Sequence, residues 1–251
     1  MNLPVMFFTK YPHRANFSFA EGYDQKTGRF TAGGKSYWAQ VSEYEGGVYH
    51  LRIVNPKKWG KNLCLAQLDL PKRVGDASLH LNLKTKSGKA LVTALKGAEF
   101  GVCGDGHMFQ FSLADDNAKF YGMGEKFFGQ IELSGMRSKF WTTDVWSDFH
   151  FAQWLEHSAD PPYFATPYVV ANINGEYVGF LLHNPYPTFI ETPGTDESRI
   201  FVEWQRTAPH LILGAEGGEP NLWVITGPTL AEVTRKLQKL VGVTPVPPAW
   251  S

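Results

Sequence analysis

The sequence predicts an all-β protein, an antiparallel β-sandwich with one amphipathic helix near its C-terminal end. Short runs rich in β-branched and aromatic residues recur along the 251 residues, and Gly, Asn, Asp and Pro separate them. Several runs alternate, as in SLHLNLK, where Leu79, Leu81 and Leu83 share one face. Regular short strands with turn residues between them are typical of two packed antiparallel sheets.

The predicted strands are, in chain order, 49–54, 78–84, 107–113, 166–173, 177–183, 199–204, 210–215 and 221–227. Asn174-Gly175 separates two of these runs and suits a type I′ hairpin turn, because Asn and Gly tolerate positive φ. Gly33-Gly34 and Ser87-Gly88 mark similar breaks. We therefore expect residues 1–228 to form the sandwich.

The segment 229–242 is predicted to be a helix. Thr229 can cap its first turn while Glu232 reaches back to the cap. Gly242 supplies the stop. The apolar stripe at helical spacing consists of Leu230, Val233, Leu237, Leu240 and Val241. The proline-rich residues 243–251 that follow are predicted to be an extended linker.

Composition excludes several classes of function. The formal net charge is zero and the pI is about 7.1, so no electrostatic footprint for nucleic acid or an anionic membrane exists. The N-terminal apolar run contains Pro4 and is too short for a signal peptide or a membrane span. Cys64 and Cys103 form neither a metal-binding pattern nor a disulfide framework. We expect two reduced, mostly buried thiols, a cytoplasmic location, no metal and no cofactor.

The stretch FYGMGE, residues 120–125, contains a Gly-x-Gly pair. A dinucleotide fingerprint would need a third glycine, and that position holds Phe127. The residues after it do not open a capped helix, so a phosphate site at a helix N-terminus is disfavoured. The glycines are instead predicted to allow a bend or bulge in a sheet.

No catalytic residue is predicted. The acidic pair Asp115-Asp116 lies in a turn signature, and no two carboxylates are marked for work across a glycosidic bond. The serine-hydrolase elbow and the HExxH motif are missing from the sequence. The densest functional candidate is the aromatic segment 139–168, where tryptophans crowd around acidic residues and histidines. Such a segment either binds sugar rings or packs a domain interface.

A series of short motifs lies in order along the second half of the chain: FYGMGE at 120–125, WTTD at 141–144, DPPY at 160–163 with TPY at 166–168, YVGFLLHN at 177–184, WVITGPT at 223–229 and VPPAW at 246–250. In this order they resemble glycoside hydrolase family 31, the α-glucosidase and α-xylosidase family. The resemblance implies an N-terminal sandwich of galactose-mutarotase-like fold, and residues 1–119 match only as a general run of strands.

In that family the P-P-x-W motif precedes a (β/α)8 barrel that carries the nucleophilic aspartate, in a W-x-D-M-N-E type motif, and the acid/base aspartate. The resemblance therefore implies a non-catalytic domain that lacks the barrel, and 243–251 would lead towards it. The family's sandwich also lends a loop to the sugar site. The resemblance makes Asp144, at the W-x-x-D position, the candidate contact to a hydroxyl of an α-linked oligosaccharide, with Trp141, Trp146 and 145–160 as its neighbours in that site or its cover. Thr142 departs from the family's Asn, which leaves the sugar preference open.

Three functions stay open on the sequence alone. The first is the inactive N-terminal domain of a retaining α-glycosidase, and the second is a stand-alone carbohydrate-binding module that uses the aromatic segment. The third, a mutarotase-like enzyme, rests on fold analogy and would need an acid and a base that converge on one face. If the helix normally packs on a barrel, the isolated chain exposes apolar surface and self-association is expected.

Overall fold

The computed structural model describes residues 17–24, 27–55, 73–75, 83, 92–125, 131–140, 164–194 and 210–246. Strands dominate these ranges, and the helix found within them is α1 (Leu230–Val241). The strands are β1 (Ser18–Phe19), β2 (Arg29–Ala32), β3 (Lys35–Tyr44), β4 (Val48–Val54), β5 (Arg73–Gly75), β6 (Leu95–Cys103), β7 (Gly106–Leu113), β8 (Lys119–Gly124), β9 (Arg137–Phe140), β10 (Ala165–Ile173), β11 (Glu176–Leu182), β12 (Thr188–Glu191), β13 (Leu211–Ala215) and β14 (Asn221–Gly227).

These strands form two sheets, and each pairing between described strands is antiparallel. Sheet I has the order β1-β6-β7-β13-β12-β9. Sheet II has the order β2-β3-β4-β14-β11-β10-β8, and β5 pairs with β3 beside this path. Strands that are consecutive in sequence are often neighbours. In contrast, β13 pairs with β7 in sheet I and β14 pairs with β4 in sheet II, although these partners are far apart in sequence.

The two sheets pack face to face around one apolar core. Phe111 of sheet I lies against Phe180 of sheet II, with ring centroids 5.1 Å apart. At the other side of the core, Phe30 of sheet II meets the edge of Phe100 of sheet I at 5.7 Å. The predicted all-β sandwich is therefore confirmed.

Most predicted strands are present as β4, β7, β10, β11, β13 and β14. The Asn174-Gly175 turn has φ values of 52° and 84° and joins β10 to β11, as a type I′ hairpin requires. Gly33-Gly34, with φ values of 52° and 72°, joins β2 to β3 in the same way. The predicted strand 199–204 and the Ser87-Gly88 break lie outside the described residues.

Two sequence-based expectations need correction. Leu83 is the described residue of the predicted strand 78–84, and its φ of 52° is left-handed, so the strand does not continue through it. Cys103 ends β6 as a free, exposed thiol, although burial was expected, because it adjoins the turn into β7. Cys64 lies outside the described ranges.

The predicted helix is present with its N-cap at Thr229 and its stop at Gly242, but the Glu232 carboxylate, expected to reach back to the cap, pairs with Lys236. Thr229 Oγ1 accepts a hydrogen bond from the Glu232 amide at 3.2 Å, and Gly242 ends the helix with a φ of 87°. The Glu232 carboxylate lies 3.1 Å from the Lys236 ammonium, one turn further on, and forms an ion pair with it.

Only the middle of the predicted stripe is covered. Val233 and Leu240 are buried on the outer face of sheet II, against a cluster that includes Trp223. Leu230 and Val241, at the two ends of the helix, are 42% and 48% exposed. Residues 243–246, which follow, have no regular structure and are exposed. The division of the chain at 228 and 242 stays a prediction.

Candidate functional site

The predicted sugar-contacting residues Trp141, Asp144 and Trp146 lie in 141–163, outside the described residues. The structure does show where that segment leaves one sheet and enters the other. It follows β9, the last strand of sheet I, and precedes β10, which pairs with the edge strand β8 of sheet II. The segment therefore connects the two sheets on one side of the sandwich.

Its two ends also lie at the same end of the strands. Leu181, near the end of β11, pairs with Tyr168 near the start of β10. A short connection then leads from β11 to Thr188, which starts β12 and pairs with Phe140. Phe140 and the start of β10 are thus brought to one corner, which we call the anchor edge: Gly122–Glu125, Phe140 and Phe164–Thr166.

The FYGMGE glycines lie opposite a β-bulge of β10 at the anchor edge, in agreement with the bend or bulge predicted from the sequence. Gly122, Met123 and Gly124 have φ values of 107°, 69° and 72°. Gly124 pairs with Ala165 but Gly122 pairs with Val169, so β10 carries two extra residues opposite this stretch. A Cβ on Gly122 would lie 3.0 Å from the Tyr168 carbonyl oxygen, which leaves room for glycine alone.

Glu125 holds the start of β10 through two hydrogen bonds. Its amide donates to the Phe164 carbonyl oxygen at 3.3 Å, and the Phe164 amide donates to Glu125 Oε2 at 3.1 Å. The first bond continues the ladder past the end of β8. The second uses a charged acceptor, which makes it stronger than a neutral hydrogen bond.

The chain that leads into β9 is fastened as well. The Phe120 and Ser134 amides both donate to Glu132 Oε1 at 3.0 Å. Buried Thr192 accepts a hydrogen bond from the Met136 amide at 2.9 Å and joins this stretch to the end of β12. Both ends of the aromatic segment are therefore built on fixed backbone.

A second polar group lies on the outer face of sheet II and was not found from the sequence. His50 stacks on Trp223, with ring centroids 3.9 Å apart and planes 3° from parallel. His50 Nε2 lies 2.6 Å from Asn221 Oδ1, and Arg52 Nε lies 2.5 Å from Glu219 Oε1. We call these five residues the His50 cluster. They come from two stretches far apart in the sequence, 50–52 and 219–223, and the outward positions of β4 and β14 were the one available signal.

The His50 ring is neutral at neutral pH. Burial lowers the pKa of His50 to about 4, and although the hydrogen bond with Asn221 raises this pKa, the positive charges of Arg52 and His183 lower it further. Burial also lowers the pKa of His183. Since an oxygen of Asn221 can only accept, Nε2 of His50 carries the proton in this contact.

The buried carboxylates among the described residues are structural. Glu191 lies 3.3 Å from Arg137 Nη2, and Glu219 is held by Arg52. Each carboxylate is paired with a guanidinium through a charged hydrogen bond. In the described ranges no group of three or more His, Cys, Asp or Glu could hold a metal ion. The helix described here is too short to cross a membrane.

Comparisons with known proteins agree with this architecture. Residues 29–191 match the family model of the glycosyl hydrolase 31 N-terminal galactose mutarotase-like domain. The chain is 29% identical over 181 residues to alpha-glucosidase 2 of Bacillus thermoamyloliquefaciens, which covers 72% of this chain but 20% of that protein.

The fold is similar to that of a Flavobacterium johnsoniae GH31 dextranase, solved with isomaltotriose and with glucose. The TM-score is 0.50 at 13% identity, and the match covers 93% of this chain and 29% of the dextranase. The chain therefore spans between a fifth and three tenths of the length of these relatives.

Proposed function

The chain belongs to the family of glycosyl hydrolase 31 N-terminal galactose mutarotase-like domains, and on that premise we propose that it is the non-catalytic N-terminal domain of a retaining, α-glucosidase-like glycosidase. In this proposal the sandwich packs on a catalytic barrel, and 141–163 reaches the sugar site with Asp144, Trp141 and Trp146. One observation carries the proposal: the family match covers residues 29–191, which include strands β2 to β12 of the sandwich. The anchor edge supports it, because both ends of that segment start from fixed backbone at one corner.

The exposed apolar residues at the end of the chain support packing on a further domain. Leu230 and Val241 are the uncovered ends of the helical stripe, and Val243 and Val246 follow them. Val246 is 92% exposed. A run of this kind favours association with another protein surface, and in the isolated chain it favours self-association. Sedimentation of the purified chain tests this, and a monomer at all concentrations would speak against an uncovered docking surface.

Activity of the chain by itself tests the non-catalytic part of the proposal. The purified chain should not hydrolyse an aryl α-glucoside above the buffer rate, since the family's catalytic aspartates belong to the barrel. Turnover that disappears when a carboxylate of this chain is replaced would overturn the proposal.

The sugar-site part is tested by Asp144→Asn in the longer enzyme that the proposal implies. A lost contact to a sugar hydroxyl should lower kcat/KM on maltose or isomaltose about tenfold or more. Asp116→Asn is the matched control, because Asp116 is exposed in the turn before β8. Equal kcat/KM in both variants would remove Asp144 from the site.

The carbohydrate-binding module is the alternative outcome of a binding measurement. Calorimetric titration of the isolated chain with maltose and isomaltose should give no heat of binding if the barrel supplies most of the site. Binding at millimolar or lower concentration that is lost in Trp146→Ala would favour the module. A cytoplasmic location is proposed alongside, and fractionation of cells that express the native protein tests it.

A further inference from the structure

We propose that the side-chain amide of Asn174, in the turn Asn174-Gly175, is a site of spontaneous hydrolysis to a carboxylate, and that Asn172 slows this reaction in the folded chain. The inference goes beyond the proposed function, because it concerns the chemistry of the chain itself. It holds whether or not the sandwich serves a glycosidase.

The residue that follows Asn174 makes it reactive. An asparagine is lost fastest when the backbone nitrogen of the next residue can attack its side-chain carbonyl carbon, and a Cβ on that next residue obstructs the attack. Asn174 is the one asparagine in the sequence that glycine follows. Asn55 and Asn184 each precede a proline, whose nitrogen carries no hydrogen to lose. The sequence therefore concentrates the reaction at Asn174.

The structure leaves the turn open to this reaction. Asn174 and Gly175 are both exposed to water. A Cβ on Gly175 would meet no atom within 4 Å, so the outer side of the turn is unobstructed. The five-membered ring that the attack produces, and the water that later opens it, therefore fit without displacing the sandwich.

The reaction has two steps. The Gly175 nitrogen gives its proton to hydroxide, forms a bond to Cγ of Asn174 and releases the side-chain nitrogen as ammonia. Water then opens the cyclic imide. Cleavage of the new bond to Cγ leaves aspartate, whereas cleavage of the original peptide bond leaves isoaspartate, in which the backbone runs through Cβ. The whole reaction consumes one water and releases one ammonia, and no oxidant or reductant takes part.

The folded hairpin holds the attacking nitrogen in a hydrogen bond. The Gly175 amide donates to Asn172 Oδ1 at 3.1 Å, and the Asn174 amide donates to Asp115 Oδ2 at 3.2 Å. The first of these bonds must break before the nitrogen can lose its proton. A hydrogen bond of ordinary net strength should slow the reaction about fivefold. Loss of the Asn172 side chain should therefore accelerate it.

The product changes both the charge and the length of the turn. A carboxylate at position 174 lies near Asp115, which accepts the hydrogen bond of the amide at that position, and next to Glu176 in the chain. In isoaspartate the backbone gains one carbon, so Ile173 and Glu176 no longer face each other across a two-residue turn. We expect the modified hairpin to fray at its turn while β10 and β11 stay paired with β8 and β14.

The first experiment follows the purified chain during incubation in mildly alkaline buffer, with proteolysis and mass spectrometry of the fragments. The fragment with Asn174 should gain the mass difference between an amide and a carboxylic acid, and it should separate into aspartate and isoaspartate forms. Asn117 is the internal control, because it is exposed but Ala118 follows it. An Asn174 fragment that stays unmodified, or that changes no faster than the Asn117 fragment, would overturn the inference.

The second experiment tests the role of Asn172. Asn172→Ala should speed the modification about fivefold, and Asn172→Asp, which keeps an acceptor oxygen, should stay near the rate of the unaltered chain. In concentrated guanidinium chloride the hydrogen bond is absent from every chain, so the rates should become equal. Equal native rates in folded Asn172→Ala and the unaltered chain would overturn the inference. If Asn172→Ala does not fold, Asn172→Asp decides, because a rate that is the same with and without denaturant would overturn the inference as well.

Discussion

The helix side and the anchor edge of sheet II are stabilised in opposite ways. Under α1, apolar side chains such as Val233, Leu240 and Trp223 are excluded from water, and the helix is closed by its own caps. At the anchor edge, glycines with positive φ allow the backbones to approach closely. The Glu125 carboxylate there accepts a hydrogen bond from the Phe164 amide. The first arrangement resists change through packing, and the second through geometry. The proposed role of 141–163 requires the second kind, because backbone geometry sets the direction in which a segment leaves the sandwich.

The largest effect is expected on the helix side, where Leu240→Ala should lower the free energy of unfolding by about 3 kcal/mol. Leu240 is 3% exposed, so its removal leaves a cavity against sheet II. Leu230→Ala in the same helix is the matched control, and it should cost less than about 1 kcal/mol because Leu230 is largely uncovered. Urea unfolding of both variants measures the difference. Equal losses would mean that the helix contact is not dominated by packing.

At the anchor edge, Gly124→Ala should cost between about 2 and 3 kcal/mol. Gly34 has the same φ of 72°, yet a Cβ there would meet nothing within 4 Å, whereas on Gly124 it would lie 3.0 Å from the Phe164 carbonyl oxygen. Gly34→Ala should therefore cost about 1 kcal/mol, the backbone strain alone. The difference between the two unfolding free energies isolates the close approach. Equal losses of unfolding free energy in Gly124→Ala and Gly34→Ala would contradict the view that position 124 needs glycine because of its close contact with Phe164.

This comparison also shows what the sequence could predict. The helix, its cap at Thr229 and the hairpin at Asn174-Gly175 depend on residues a few positions apart, so local patterns predicted them. The bulge was predicted as well, because a Gly-x-Gly pair in a strand has few other uses. The partner of Glu125 could not be predicted, since Phe164 comes close only after two strands pair.

The limit of sequence-based prediction is clearest in the candidate site. Asp144 and Trp141 were assigned by motif and Trp146 as their neighbour, and the positions of all three stay predictions. The His50 cluster had no motif at all, because Asn221 reaches His50 across a pair of strands that are far apart in the chain. The extent of the covered helix face could not be predicted either. Periodicity marks Leu230 and Val241 as apolar, but only the packed sheet decides how far the covered face extends.

The smallest effect is expected where the covered face of sheet II gives way to its polar part, at His50. The unfolded chain takes up a proton there near pH 6.5, but the folded chain does so only near pH 4, because burial disfavours the charged ring. Between these values the unfolded state binds more protons, so stability falls as the pH drops, by about 2 kcal/mol between pH 7 and pH 4.5. His50→Phe keeps a ring on Trp223 without a titrating group. This variant also loses the hydrogen bond to Asn221, which lowers the unfolding free energy equally at every pH. The test therefore compares how steeply the unfolding free energy changes with pH in the two proteins. Unfolding free energies measured at pH 7 and pH 4.5 should differ less in this variant than in the unaltered chain. Parallel pH profiles would show that His50 is accessible to protons in the folded state, and that the polar part of sheet II is more open than its stacked rings imply.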